Sequence, residues 1–190
     1  QDTYAHYMQN YQSQIRLMIK MQFQIGVARR ICETIGTLNM PSVSEKLGQM
    51  AAQAAMVEGL VYGMESGGGY YNGYYVPDRN LMYTAQVLTQ QLYPEFITSM
   101  REIAGGGLIM LPSSVKDFEN PEIARYIHAT QNSAVGTSEE KVKFMKLAWD
   151  AIGSEFASRH TQYEMFYAGA QFVTRGHALR TYDWNRSKIL

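Results

Sequence analysis

The stretch Tyr4–Ile35, YAHYMQNYQSQIRLMIKMQFQIGVARRICETI, decides the fold class. Apolar side chains recur at Tyr4, Tyr7, Tyr11, Ile15, Met18, Met21, Ile25, Ala28, Cys32 and Ile35. Steps of three and four residues put them on one face of a single long amphipathic helix. Gly36 follows where a C′ residue belongs, because glycine turns the chain left-handed at no Cβ penalty. A helix this long is stabilised mainly by what covers its apolar face, so it predicts further helices beside it.

The remainder of the chain supplies them. Ser42 and Glu45 have capping-box spacing and open a second helix that runs to about Glu65. Val43, Leu47, Met50, Ala54, Val57 and Val61 form its apolar side, and Gly48, Ala51, Ala52, Ala55, Gly59 and Gly63 predict close approach of neighbouring helices. Ser66–Pro77, SGGGYYNGYYVP, reads as a turn with a brief extended piece, its tyrosines covering a bundle end or a subunit contact rather than a ligand. Asp78 caps a third helix, Arg79–Ala104, in which Pro94 predicts a kink. Glu122–Ala129 reads as one or two helical turns. Thr137 and Glu140 make a second capping box, opening a fourth long helix with Val142, Met145, Trp149, Ile152, Phe156, Tyr163 and Phe166 on one face and Gly169 at its end. A fifth runs from Ala170 to about Tyr182. The expected fold is all-α, an up-and-down helical bundle, with residues 1–190 as a single domain.

Composition narrows the function. Lys+Arg and Asp+Glu number 17 each, so no net field favours nucleic acid or an anionic membrane. No apolar run reaches the roughly 18 residues of a membrane span, and QDTYAHYMQNYQ lacks the core of a signal peptide, which predicts a cytoplasmic location. The helical pattern is already under way at Tyr4, as in a chain cut from a longer one. The single cysteine, Cys32, falls on an apolar helix face where a buried, inert thiol is expected. His6, His128, His160 and His177 are scattered, and Glu155 and His160 lack the E-x-x-H spacing of di-iron bundles, so no metal ligand and no catalytic acid, base or nucleophile is assigned.

Two features remain where a ligand could bind. Gly105, Gly106 and Gly107 can take positive φ and expose backbone, and Pro112, Ser113 and Ser114 follow within AGGGLIMLPSSVKDFENPEI, residues 104–123. They form either an ordinary C-cap and loop or a cradle for a bulky ligand. Arg16 and Lys20 sit four apart on a helix with no acid between Thr3 and Cys32. Such like charges repel unless an anion lies opposite, either an acid from another helix or a bound phosphate or carboxylate. Near the end of the fourth helix Arg159, His160, Tyr163 and Glu164 form a polar cluster, read as an ion-pair and hydrogen-bond network.

Four stretches carry a family resemblance: His6 with Arg16, Lys20 and Gly26; PSVSEKLG from Pro41; Gly105–Ile123; and Lys146–Gly169. Together they resemble the C-terminal α-helical domain of the 4-hydroxyphenylacetate 3-monooxygenase oxygenase-component family, reduced-flavin-dependent aromatic hydroxylases whose fold is like that of acyl-CoA dehydrogenases. The resemblance implies FAD as cofactor, bound as FADH2 supplied by a separate reductase, with O2 and a phenol as substrates and a homotetramer as the assembly. It implies that Gly105, Gly106, Gly107, Pro112, Ser113 and Ser114 contact the ADP half of FAD, and that Asn120 lies nearer the ring. Arg16 and Lys20 would face the flavin phosphates or brace the neighbouring helix pair. His6, near the ligand-facing end of the first helix, has no assigned role. Two alternatives stay open. The related 4-hydroxybutyryl-CoA dehydratase needs a cysteine ligand where this chain has Ser13, and a non-catalytic helical interaction module would not bind FADH2.

Overall fold

The computed structural model describes residues 5–188, without the side chains of His6 and Tyr7, so the expectations for Tyr4, Tyr7 and His6 fall outside the described residues. The fold is an all-α bundle. Its helices are α1 (Ala5–Ile35), α2 (Pro41–Ser66), α3 (Arg79–Ala104), α4 (Pro121–Thr130), α5 (Ser138–Ile152), α6 (Glu155–Phe166) and α7 (Gln171–Thr181). A hairpin of β1 (Gly69–Tyr71) and β2 (Tyr74–Val76) joins α2 to α3. Among the described residues no helix is long and apolar enough to cross a membrane.

The chain divides into two compact units. The first takes residues up to Gln22, Ala52–Glu95 and those from Thr161 onward; the second takes Phe23–Ala51 and Phe96–His160. The division in α3 falls just past Pro94, and α3 remains helical on both sides of it.

In the first unit Val61, Met64, Met82, Tyr83 and Ala85 form a buried cluster, against which Tyr11, Ile15 and Met18 of α1 pack. Here the sequence reading of α1 needs correction. The buried stripe is centred on Asn10, Ser13, Gln14, Leu17 and Met21, while Tyr11, Ile15 and Met18 flank it. Periodicity treats polar residues as outward-facing, and three of these five are polar. Gln90 of α3 holds the corner between α6 and α7, donating to the carbonyls of Met165 and Gly169 at 2.8 Å each and accepting from Thr174 Oγ1 at 2.8 Å. The tyrosine-rich stretch is a true hairpin. Asn72 (φ 47) and Gly73 (φ 81) both turn left-handed, the requirement of a type I′ turn. Tyr75 anchors it by donating to the Glu65 carbonyl at 2.7 Å, while Tyr70 and Tyr74 are exposed.

In the second unit Cys32, Met50, Phe96, Met100, Met145 and Ile152 are all fully buried. Burial pushes the Cys32 thiol pKa up, consistent with an inert side chain. Three expectations change. First, α2 begins at Pro41, with Ser44 N–H donating to the Met40 carbonyl, so Ser42 lies inside the first turn instead of capping it. Proline at N1 explains the earlier start, since its missing N–H is not needed there. Second, Gly48, Ala51, Ala52, Ala55 and Gly59 are exposed; among the small residues of α2, Gly63 meets a neighbour, with Leu81 Cδ1 3.2 Å from an ideal Cβ.

Third, the long fourth helix is two helices. A Cβ on Gly153 would stand 2.5 Å from the Trp149 ring, and Ser154 then caps α6 by accepting from Ala157 N–H at 3.2 Å. Arg101 Nε takes the Ile152 carbonyl at 2.7 Å. The break resets the helical phase. Val142, Met145 and Ile152 are buried as expected, but Phe156, Tyr163 and Phe166 are exposed. The polar cluster also divides: Arg159 pairs with Glu155 at the surface, 3.6 Å away, while Glu164 turns toward α1. The Thr137–Glu140 capping box, the Asp78 cap and helix α7 form where expected.

Candidate functional site

The residues singled out for ligand binding fall into two groups, one in each unit. Gly105, Gly106, Gly107, Pro112, Ser113, Ser114 and Asn120 belong to the second unit; Arg16 and Lys20 belong to the first.

The glycine corner begins where α3 ends. Gly105 alone of the three takes a left-handed backbone, φ 56, and a single 3-10 turn follows over Gly105–Leu108. Such a turn bonds N–H groups to carbonyls three residues back, as Ile109 does to Gly106 at 3.1 Å. The corner therefore offers a surface without β-carbons more than a nest of free amides. The three glycines face different ways. An ideal Cβ on Gly107 would lie 3.4 Å from Met145 Cε of α5, so Gly107 rests on the core. A Cβ on Gly105 or Gly106 would meet nothing within 4 Å. Positive φ accounts for glycine at 105. At 106 neither φ nor the chain's own packing requires it. Leu108 then plugs the corner into the core, while Ile109 and Met110 stand 76% and 68% exposed beside the open glycines.

Beyond Pro112 the chain makes a second 3-10 turn, Val115–Phe118. Ser114 Oγ accepts from Lys116 N–H at 3.2 Å, and Asp117 Oδ2 accepts from Ser114 N–H at 3.0 Å and from Ser113 Oγ at 3.3 Å. Both serine hydroxyls thus have local bonds and are exposed. Asn120 is the N-cap of α4, its Oδ1 accepting from Glu122 N–H at 3.0 Å and Ile123 N–H at 3.3 Å. Its amide nitrogen is the group left to meet a ligand. One residue was not legible in the sequence: Gln131, at the end of α4, donates to the Met110 carbonyl at 2.7 Å. No spacing marks it; only the folded path of the loop brings it there.

In the first unit, the anion opposite Arg16 and Lys20 is Glu164. The Arg16 guanidinium bonds both carboxylate oxygens at 3.2 Å, and Lys20 Nζ lies 2.5 Å from Oε1. Glu164 is 8% exposed. Arg16 also lies over Tyr163, 4.3 Å from the ring centre, and Lys20 lies 5.3 Å from that of Tyr93. Ser13, the position expected to be cysteine in the dehydratase alternative, is buried and donates to the Asn10 carbonyl at 2.6 Å. Among the described residues no group of three His, Cys, Asp or Glu could hold a metal ion.

Comparison with known proteins gives one consistent result. Residues 1–190 match the family described as 4-hydroxyphenylacetate 3-hydroxylase C terminal. The 4-hydroxyphenylacetate 3-monooxygenase oxygenase component of Pseudomonas aeruginosa is 34% identical over 87% of this chain and 32% of its own length. A crystal structure of such an oxygenase component, complexed with FAD and 4-hydroxyphenylacetate, superposes with a TM-score of 0.88 at 27% identity, covering 94% of this chain and 37% of that one. An archaeal 4-hydroxybutyryl-CoA dehydratase from N. maritimus matches with a TM-score of 0.77 at 21% identity, over 84% of this chain and 32% of its own, which shows a shared fold. This chain spans about a third of the length of the curated relatives it matches.

Proposed function

The chain belongs to the 4-hydroxyphenylacetate 3-hydroxylase C-terminal family, and from that premise we propose that it is the C-terminal flavin-binding and oligomerisation domain of a two-component monooxygenase. The complete enzyme would be a cytoplasmic homotetramer that takes FADH2 from a separate reductase and hydroxylates a phenol with O2. The observation that carries this reading is the open face of Gly105 and Gly106. Glycine costs roughly 1 kcal/mol relative to alanine in helical backbone, and among the described residues Gly106 has no partner that demands it. A surface approached closely by a ligand would account for it.

The residues present suit the nucleotide half of a flavin. The bare backbone of Gly105 and Gly106 admits a flat group at contact distance, and exposed Ile109 and Met110 give it an apolar flank. Ser113 and Ser114, on a turn already fixed by Asp117, present hydroxyls to ribose or phosphate oxygens. Asn120 would use its amide nitrogen nearer the ring. Arg16 and Lys20 share the Glu164 carboxylate, which favours their bracing the neighbouring helix pair. Bound reduced flavin supplies the chemistry that activates O2 and delivers one oxygen atom to the phenol. The task of this chain is to hold that cofactor in place and to close one wall of a cavity from which water is kept out.

Anaerobic titration of the full-length protein with FADH2 tests the reading. Wild type should bind the reduced cofactor, and Gly106→Arg should bind at least tenfold more weakly with its melting temperature little changed. Equal binding by Gly106→Arg, or no binding by wild type, would sink the proposal.

A further inference from the structure

Between the two 3-10 turns the chain leaves the core. Ile109 and Met110 are exposed, and Ser113 and Ser114 are bonded only within their own turn or to Asp117 in the contacts described above. Where binding has to order an exposed segment further, that ordering costs affinity. Gln131 reaches it from the far end of the excursion. Its side chain, 7% exposed, donates from Nε2 to the Met110 carbonyl at 2.7 Å. Gln131 is itself fixed, since its N–H donates to the Ile127 carbonyl at 2.8 Å and closes α4. Three residues later Ala134 N–H donates to the Thr34 carbonyl of α1 at 3.0 Å, and Ala134 Cβ lies 3.2 Å from where a Cβ on Gly36 would stand. Contacts thus tie the end of α1 to Ala134, and Gln131, three residues earlier in the chain, ties α4 to Met110, three residues from Gly107.

We infer that Gln131 is a positioning residue of the flavin loop, holding Met110 and the adjoining glycine corner in the form that receives the nucleotide end of FADH2. The inference rests on the function proposed above. Gln131 acts through the Met110 carbonyl, so it lowers the ordering cost of binding and leaves the chemistry of the bound state alone. Its loss should raise the dissociation constant and the KM for FADH2 and leave kcat at saturating FADH2 unchanged.

The test uses the full-length oxygenase with FADH2 as the probe, titrated anaerobically. Gln131→Met keeps the volume and removes the donor; it should bind about fivefold to tenfold more weakly than wild type, the loss expected for one hydrogen bond. Gln131→Glu separates positioning from packing. Ionised, it only accepts and should bind as weakly as Gln131→Met. As the pH falls toward the carboxyl range, about 4 to 5, it regains an O–H donor and its affinity relative to wild type should recover. A packing role would lower thermal stability in both variants with no such recovery. Wild-type affinity in Gln131→Met, or a Gln131→Glu defect that ignores pH, overturns the inference while the function stands. A wild-type protein that fails to bind FADH2 overturns the function itself, and the inference with it.

Discussion

Met145 places its Cε 3.4 Å from the point where a β-carbon on Gly107 would stand, and this contact fixes which way the glycine corner faces. With Gly107 held against α5, Gly105 and Gly106 turn outward.

The contact separates neighbouring glycines by mutation. Gly107→Leu must displace the buried Met145 and should cost about 1–3 kcal/mol in urea denaturation, as overpacked cores do. Gly106→Ala should leave stability unchanged or raise it by up to about 1 kcal/mol. Equal effects at the two positions would contradict the stated orientation.

Glu164 neutralises one of two cations in a largely buried trio. Glu164→Ala leaves Arg16 and Lys20 facing each other and should cost about 2–4 kcal/mol, below the value for a fully buried pair because Arg16 keeps partial solvent contact. Glu164→Ala in an Arg16→Met background should cost markedly less, because the Arg16 cation is then gone. A double-mutant cycle measures the coupling, and additive effects would show that the trio does not act as a unit.

The break between α5 and α6 depends on glycine. Gly153→Ala puts a methyl 2.5 Å from the Trp149 ring, which must shift. A loss of about 1–3 kcal/mol with altered Trp fluorescence is expected. An unchanged protein would mean that the helices join more loosely than described.

Tyr11 donates to Glu65 Oε1 at 2.5 Å, and burial first, then this carboxylate, pushes its pKa up to about 12. Because the folded value lies above the ordinary 10.0, the stabilisation is complete below pH 10 and is lost as pH rises toward 12. Tyr11→Phe should lose less stability than wild type across that window. Ultraviolet titration of tyrosinate provides the direct check, with one late-titrating tyrosine missing from the variant.

These positions also show what a linear reading can reach. Helix ends carrying a local chemical signal were legible: Asp78, Thr137 with Glu140, and the glycine after Ala104 act within a few residues of themselves. Burial was less so. The buried stripe of α1 carries Asn10, Ser13 and Gln14, whose polarity hides their inward direction from any hydrophobic count. The Gly153 break was missed because the apolar spacing on either side is compatible with one helix until the phase shift is known. Gln131 shows a further limit, since its partner Met110 lies 21 residues away and is chosen by the course of the loop. The candidate ligand residues came from family resemblance; their spacing alone left both a cap and a cradle open.

The most direct test of the central claim is a crystal structure of the full-length protein with FAD bound. The account predicts an atom of the cofactor's nucleotide half within about 4 Å, ordinary van der Waals contact, of the backbone of Gly105 or Gly106, on the side where a β-carbon would project. FAD bound elsewhere, with that face open to solvent or covered by protein alone, would contradict it.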